Sequence, residues 1–431
     1  MPADIVILGG GIIGVSTAYY LVSHPSKPSV TLIENTSIAA AASGKAAGFI
    51  AREAAWHYPA TEGLARLSFK AFQELASKYN GTRDFGWRQF SAATGVLVGT
   101  KEDGKMSEYR NLPNSRALDG SERPAWTHGR RVDLSGKGEG NMGQVLPLEF
   151  TRRLHAEATL LGLKTIIGTP LARNAASQTI ITDVGSYHYD KLIIAAGPWS
   201  AELCRTLAIP PVPVGTLPGH SVLIRPLMPP VYKGILPAEA ILAGLGATSN
   251  DLGHGPGHSA RVDHSKVDPT DPAAEPYGLT KNIEFYPRPD NTIYGAGENA
   301  IPAPRGLREI DNNRLPPTAA DVPKLLDATL IARMLRASRV VSDSLDVEKG
   351  AELIKADFCY RPVCADKVPV IGRWAKDIYV SAGHGPWGIT LAPGSGIVLS
   401  ELVLADLAGT RAHLSADISG LDPHRFDGAK L

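Results

Sequence analysis

Ala3-Asp4-Ile5-Val6-Ile7-Leu8-Gly9-Gly10-Gly11-Ile12-Ile13-Gly14-Val15 is the stretch that decides how the rest of this 431-residue chain reads. Ala3 to Leu8 is a short apolar run of the kind that makes a strand buried on both faces. Gly9, Gly11 and Gly14 set a G-x-G-x-x-G spacing at its end. Val15 to Val22 continues as an apolar helix stopped by His24-Pro25, and a second strand, Val30 to Ile33, ends at Glu34. Strand, glycines, helix, strand and acid in register make a dinucleotide-binding fingerprint. Gly9 allows the tight turn, Gly11 the approach of a pyrophosphate, and Gly14 the packing of helix on strand. The helix start, Ile13 included, offers N–H groups and partial positive charge to phosphate. Glu34 is placed to accept from the adenosine ribose hydroxyls, and its charge disfavours a 2′-phosphate there.

The fingerprint alone does not choose NAD over FAD. The next block, AAAASGKAAG from Ala39 to Gly48, is built of small residues that let the chain pass close to an extended cofactor. Ser43 and the backbone of Gly44, Lys45, Ala46, Ala47 and Gly48 can touch the pyrophosphate and ribityl chain of FAD. An NAD domain would continue here with another helix–strand unit.

Further along, Leu146 to Leu161 has helical spacing, followed by strand-like Lys164 to Ile167. Asp190 to Ala196 reads as a buried strand closed by Gly197-Pro198-Trp199, where the glycine again brings a strand end near a ligand. Ile283 to Ile293 predicts a hairpin turning at Asp290-Asn291. Thr318 to Ala337 predicts an amphipathic helix. Such a chain divides into a discontinuous Rossmann-like α/β domain (1–83, 142–215, 355–431) and an interleaved antiparallel-sheet substrate domain (84–141, 216–354). The Gly- and Pro-rich interval 244–278 holds His254, His258 and His264. Gly-Pro-Gly between the first two forbids a helix, so it reads as a surface loop or lid, and no residues are assigned to a metal.

Composition excludes several classes. Lys plus Arg is 44 against 43 for Asp plus Glu, so no global field draws the chain to nucleic acid. Three cysteines (Cys204, Cys359, Cys364) are too few for a disulfide scaffold. No uninterrupted apolar run has the length of a membrane span. Ala429-Lys430-Leu431 resembles the small–basic–Leu form of a peroxisomal address, which an import receptor reads. Peroxisomal placement is the expectation if that tail is read, and cytoplasmic placement otherwise.

Near the C-terminus stand ADFCYRPVCADKVPVIG (Ala356–Gly372) and DIYVSAGHGPWG (Asp377–Gly388), with Ile389-Thr390 next and an apolar helix from Gly394 to Leu407. Together with Gly9–Gly14, Glu34, Ser43–Gly48 and Ala196–Trp199, these blocks resemble the FAD-dependent amino-acid and amine oxidase (DAO) family. Its members include glycine oxidase, sarcosine oxidase and D-amino-acid dehydrogenase, and this chain looks most like the TDA3-like eukaryotic branch. The resemblance implies the family's glutathione-reductase-like α/β fold with FAD as cofactor. It also implies hydride transfer from the carbon of a C–N bond to flavin N5. The imine then hydrolyses, and molecular oxygen becomes hydrogen peroxide. Two alternatives stay open: a dehydrogenase with a non-oxygen acceptor, and a flavin protein whose role is a partner interaction.

The same resemblance implies cofactor contacts at Leu171, Gly197 and Trp199. It implies that Gly383, His384, Gly385, Pro386, Trp387, Gly388, Ile389 and Thr390 wrap the isoalloxazine, His384 and Trp387 also facing the substrate. Arg361 matches the arginine that binds the substrate carboxylate in glycine oxidase and is also counted among the cofactor contacts; the alternative is a structural ion pair with Asp366 or another acid. Arg52 falls near an active-site arginine of sarcosine oxidase, the alternative being a phosphate contact or a surface charge, and His220 stands at the domain junction, facing substrate or else packed or solvated. Tyr286 and Arg288 read as ordinary strand-face residues. Cys359 lies where sarcosine oxidase carries its flavin-linked cysteine, so non-covalent FAD with a buried thiol and a covalent thioether both remain open. Trp387 replaces a lysine and Phe49 an arginine of sarcosine oxidase. These departures imply a more aromatic cavity with fewer cations, suited to a larger or uncharged amine.

Overall fold

The computed structural model describes residues 2–52, 57–98, 133–227, 236, 241–245, 282–298 and 315–427. The three histidines of the 244–278 loop and the terminal Ala429-Lys430-Leu431 lie outside the described residues. In chain order the elements begin β1 (Asp4–Leu8), α1 (Ile12–Ser23), β2 (Ser29–Glu34), α2 (Ala42–Lys45), β3 (Phe49–Ala51), α3 (Pro59–Lys78), α4 (Gly81–Asp84), β4 (Arg88–Val98) and β5 (Asp133–Gln144). Then come α5 (Pro147–Leu160), β6 (Lys164–Ile167), β7 (Pro170–Asn174), β8 (Thr179–Thr182), β9 (Gly185–His188), β10 (Lys191–Ile194), α6 (Ser200–Thr206), β11 (Gly215–Arg225) and β12 (Ile241–Leu245). The last are β13 (Asn282–Pro287), β14 (Ile293–Glu298), α7 (Ala328–Val341), β15 (Glu352–Val363), β16 (Val370–Ala375), β17 (Ile378–Ala382) and α8 (Gly388–Leu407).

A six-stranded sheet runs β16-β17-β10-β1-β2-β6, with β1 parallel to both β2 and β10. Ile5, Val6, Ile7 and Leu8 are all buried: Ile5 and Ile7 pack with α1 and α8, and Val6 and Leu8 with β8 and α6 on the other face. Full burial of each such side chain contributes about 1.5–3 kcal/mol, which is why the run is apolar without alternation. α8 packs between α1 and α3. It is the exception to the sequence reading of membrane segments: Gly385–Leu407 is long and apolar enough to cross a bilayer by length and composition. Here two thirds of its apolar window is buried in the protein, so it is a core helix. A small three-stranded sheet, β7-β8-β9, stands beside β6.

An eight-stranded sheet runs β15-β11-β14-β13-β12-β4-β5-β3. Segments 1–83 and 355–431 therefore feed both large sheets, through β3 and β15. The two faces of this sheet differ. Val222, Ile224, Ile283, Phe285 and Ile293 form a core with Met334, Ala337 and Val341 of α7. The alternate residues of the same strands point the other way, toward α2 and β3.

The segment Thr318–Ala337 is not one helix. A 3₁₀ stretch, Ala319–Leu325, contains Pro323, and α7 starts afresh after Asp327. Pro323 cannot donate to a helical ladder. Asp327 caps α7 by accepting from the N–H groups of Thr329 and Leu330. Asp327→Ala should cost about 0.5–2 kcal/mol, the usual range for a lost N-cap, read as a lower urea midpoint with unchanged slope.

Candidate active site

At the β1–α1 turn an added Cβ on Gly14 would sit 2.0 Å from the Gly9 carbonyl oxygen, and one on Gly9 would sit 2.4 Å from that of Ala195. Both glycines are therefore demanded by the fold. Gly11 is different: a Cβ there meets only the Ser43 hydroxyl, at 3.1 Å. Ser43 Oγ accepts the Ile12 N–H at 2.9 Å, which leaves its own proton for a further acceptor. Glu34 accepts from Gly10 N–H at 2.7 Å and Thr36 N–H at 2.9 Å. Burial raises its pKa and these bonds oppose the rise, so the carboxylate is fixed beside the turn. Gly197 follows β10 with φ +55°, and an added Cβ would meet nothing within 4 Å. Open backbone at Gly11 and Gly197, flanking a clamped turn with a fixed acid, fits an adenine dinucleotide.

The Ser43–Gly48 segment ties this turn to the eight-stranded sheet. Lys45 Nζ donates to the Phe358 carbonyl at 2.9 Å and lies 3.8 Å from Asp357. Burial lowers the Lys45 pKa, with Asp357 opposing. Tyr294 Oη donates to the Lys45 carbonyl at 2.9 Å, and Arg288 reaches the Ala46 carbonyl at 2.6 Å. Arg288 is thus a cross-brace to the cofactor segment, more than an ordinary strand-face residue.

The 383–390 loop approaches from the opposite side. Gly383 has φ +81°, and a Cβ there would lie 2.3 Å from Cys364 Sγ, so glycine is required. Gly385–Trp387 forms one 3₁₀ turn and α8 starts at Gly388. His384 is buried, its Nε2 3.0 Å from Ser395 Oγ. Ser395 Oγ donates its proton to Leu391, so Nε2 carries the hydrogen and donates. Burial holds His384 neutral, with a pKa down to about 3. Thr390 Oγ1 donates to the Phe49 carbonyl at 3.1 Å, joining this loop to β3. Trp387 packs edge-on against His57, centroids 4.8 Å apart. His57 is a buried histidine that sequence reasoning missed: Nε2 is 2.8 Å from the Ala51 carbonyl, and Nδ1 has no hydrogen-bond partner among the described residues.

The sheet face toward these segments carries Arg361, Cys359 and Asp357 on β15, Ser221 on β11, Tyr294 and Ala296 on β14, and Glu284 and Tyr286 on β13. Their register is continuous: Asp357 pairs with Ser221, Ser221 with Ala296, and Ala296 with Glu284. The Arg361 guanidinium lies over Gly219, where an added Cβ would be 3.0 Å from it. Asp366, the alternative partner considered for Arg361, is held by Arg425 through two bonds of 2.7 and 3.1 Å. Burial pushes the Cys359 thiol pKa up. Arg52 directly follows β3, its N–H donating to the Asn141 carbonyl. His220 stands on the opposite face, against Phe358 and α7, and is not brought to Arg361.

Residues 4–402 match the family model described as FAD-dependent oxidoreductase, DAO. The chain belongs to the DAO family of FAD-dependent oxidoreductases. It is 31% identical to C1F5.03c of Schizosaccharomyces pombe, an oxidoreductase by name only, with 97% of each chain covered. It is 22% identical to TDA3 of Saccharomyces cerevisiae, also an oxidoreductase by name only, over 99% of this chain and 95% of that one. The crystal structure of glycine oxidase from Geobacillus kaustophilus superposes with a TM-score of 0.69 at 17% identity, over 99% of this chain and all of the other.

Two further positions of the oxidoreductase are fixed by its outer elements. Leu171 is 52% exposed on β7, three residues beyond Gly168, whose N–H donates to the Glu34 carbonyl. Trp199 donates its indole N–H to the Pro316 carbonyl at 2.8 Å, closing the Gly197 turn against the second sheet.

His220 gives the enzyme a pH-dependent stability. Its Nε2 accepts the Asp327 N–H at 3.0 Å, so it must stay unprotonated, and burial lowers its pKa to about 4. The unfolded chain binds a proton there from about pH 6.5 downward, while the native state does not. Stability is therefore full above pH 6.5 and falls as pH drops to about 4; His384 adds to the same slope down to about 3. Urea midpoints from pH 7.5 to 4.5 should fall, and His220→Gln should flatten part of the decline.

Proposed function

We propose that this oxidoreductase oxidises the C–N bond of an amino acid or amine. The observation that carries the reading is the convergence of three elements: the 43–49 segment, the 383–390 loop and the polar face of the eight-stranded sheet. FAD, when bound, supplies the acceptor for a hydride from the carbon beside nitrogen, and molecular oxygen is the terminal acceptor, yielding hydrogen peroxide.

The chain's own residues have to bind, orient and dry the substrate. Arg361 supplies a guanidinium suited to a carboxylate. Gly383–Gly388 leads into the start of α8, whose partial positive charge favours developing negative charge nearby. Phe49 and Trp387 exclude water on the aromatic side. Lys45, Tyr294 and Arg288 fix the 43–48 segment against the eight-stranded sheet, which would keep a cofactor on that segment in register with the sheet face. Burial of Cys359 disfavours its thiolate, so FAD held non-covalently is the reading adopted.

Anaerobic titration of the FAD-loaded protein with amino acids, N-methyl amino acids and larger amines tests this. Bleaching of the visible flavin band by one class, reversed by air with peroxide formed, is the expected result. A band that stays oxidised throughout the panel would overturn the proposal. Bleaching that air does not reverse would replace oxygen by another acceptor. A tryptic peptide containing unmodified Cys359 is expected by mass spectrometry of the denatured protein.

A further inference from the structure

Arg288 carries a charge for which the described residues hold no counter-ion. It follows β13 at the start of the turn into β14, its N–H donating to the Thr292 carbonyl at 2.7 Å. The side chain reaches back to the cofactor segment. Nη2 donates to the Ala46 carbonyl at 2.6 Å, and the guanidinium carbon stands 5.0 Å from the centre of the Tyr294 ring. Nε is buried with no hydrogen-bond partner among the described residues. A carbonyl oxygen and a ring face attract a cation without carrying net charge, so neither cancels it.

Among the described residues no carboxylate forms an ion pair with Arg288; Asp290, Glu149 and Asp357 act on it from farther away. Asp290 Oδ1 already accepts from the Thr292 N–H and hydroxyl. Glu149 is exposed in the first turn of α5, where water screens it. Asp357 lies 2.6 Å from Lys355 and 3.8 Å from Lys45, and Lys45 is itself buried. Positive charge therefore exceeds negative where the 43–48 segment meets the sheet. Arginine cannot shed its proton to relieve this. An uncompensated buried charge is costly, and it is tolerable where a ligand supplies the opposite sign.

The segment has two distinguishable ends. Ser43 Oγ meets the Ile12 N–H at the start of α1, and the Phe49 carbonyl meets the Thr390 hydroxyl of the 383–390 loop. Arg288 joins it between them, at Ala46. Of the parts of FAD, adenosine and the oxidised flavin ring are neutral and the diphosphate is anionic. We propose that Arg288 is the counter-charge of the cofactor's diphosphate, acting across the 43–48 segment, so that the site takes a nucleoside diphosphate even without a flavin. The proposal rests on the reading of this segment as lying along FAD. It adds a cation from the eight-stranded sheet to a phosphate site otherwise built on backbone N–H groups.

Four ligands separate charge from shape: FAD, ADP (diphosphate without flavin), riboflavin (flavin without phosphate) and adenosine (neither). Affinities are measured by calorimetry on the full-length chain stripped of flavin, at one fixed salt concentration. The wild type should bind ADP about tenfold or more tightly than adenosine. Arg288→Met should weaken FAD and ADP by a similar factor, about tenfold or more, and leave riboflavin and adenosine within about twofold. Arg288→Lys keeps the charge and gives up the planar fork, so ADP should stay within about threefold of the wild type. An arginine that only braces Ala46 would on removal weaken all four ligands together or none, and either result overturns the proposal. A loss confined to FAD and riboflavin would put the charge at the flavin end and overturns it as well. Should Arg288→Met not fold, Arg288→Lys decides: ADP weakened about tenfold overturns the proposal, and ADP held near the wild-type value supports it. A wild type that binds FAD but takes ADP no better than adenosine also overturns it while leaving the cofactor reading in place. A wild type that binds no FAD removes the cofactor reading itself, and the proposal with it.

Discussion

Gly14→Ala should yield a protein that purifies nearly colourless and unfolds more easily. The new Cβ would lie 2.0 Å from the Gly9 carbonyl oxygen and 3.4 Å from Ile7 Cγ2. The oxygen belongs to the backbone of the β1–α1 turn, so no rotamer relieves the contact. Either α1 moves away from β1 or the turn opens, and both withdraw the N–H groups that would hold a pyrophosphate. Overpacking of this kind costs about 1–3 kcal/mol. Lost cofactor removes a further contribution of roughly 2.7 kcal/mol at a hundredfold excess over Kd. Gly11→Ala is the control. Its Cβ meets only Ser43 Oγ at 3.1 Å, so the cofactor-free protein should keep its melting temperature while FAD affinity falls. The ratio of visible to ultraviolet absorbance reports FAD content, and thermal denaturation with and without added FAD reports the rest. Full flavin retention by Gly14→Ala would mean that the cofactor does not lie on this turn.

The second large effect is expected at Arg361. Replacing it with Met removes the guanidinium over Gly219 while keeping an apolar stem. Truncating one partner of a buried charged pair costs about 2–5 kcal/mol. That corresponds to roughly 30- to 4,000-fold in kcat/KM for a carboxylate-bearing substrate, at 1.4 kcal/mol per tenfold. An amine without a carboxylate should lose far less, and FAD content should stay unchanged. Equal losses for both substrate types would assign Arg361 to the fold rather than to carboxylate binding. Asp366 is no competitor for that role, because Arg425 already holds it through two bonds.

Much of the nucleotide end was legible because its signals are local. Strand, glycines, helix and acid occupy residues 4–34 in one run, and the fold places them there as β1, α1 and β2. The hairpin at 282–298 was legible for the same reason: Asn291 takes φ +60° between two apolar strands. The helix read over 318–337 failed at Pro323 and Asp327, where a missing N–H and a side-chain cap outweigh the apolar period. The substrate side was far less legible. The hairpin itself pairs Glu284 with Ala296, but nothing local says that β11 and β15 will extend that row to Ser221 and Asp357, because those strands are distant in sequence. His57 carries no motif, and its place against Trp387 follows from where α8 begins. For His220, legible only as facing substrate, packed or solvated, strand alternation selects the packed place against α7.

The eight-stranded sheet has a consequence for how such an enzyme can change. On β11, β13 and β14, one parity of residues (Val222, Ile283, Phe285, Ile293) answers to the α7 core, and the other (Ser221, Glu284, Tyr286) faces away from it. Under the proposed function, stability and selectivity are then written on alternate letters of the same strands. A combinatorial library confined to Ser221, Glu284 and Tyr286 should yield mostly folded proteins of diverse preference, and one confined to the α7 parity mostly insoluble protein of unaltered preference among its survivors.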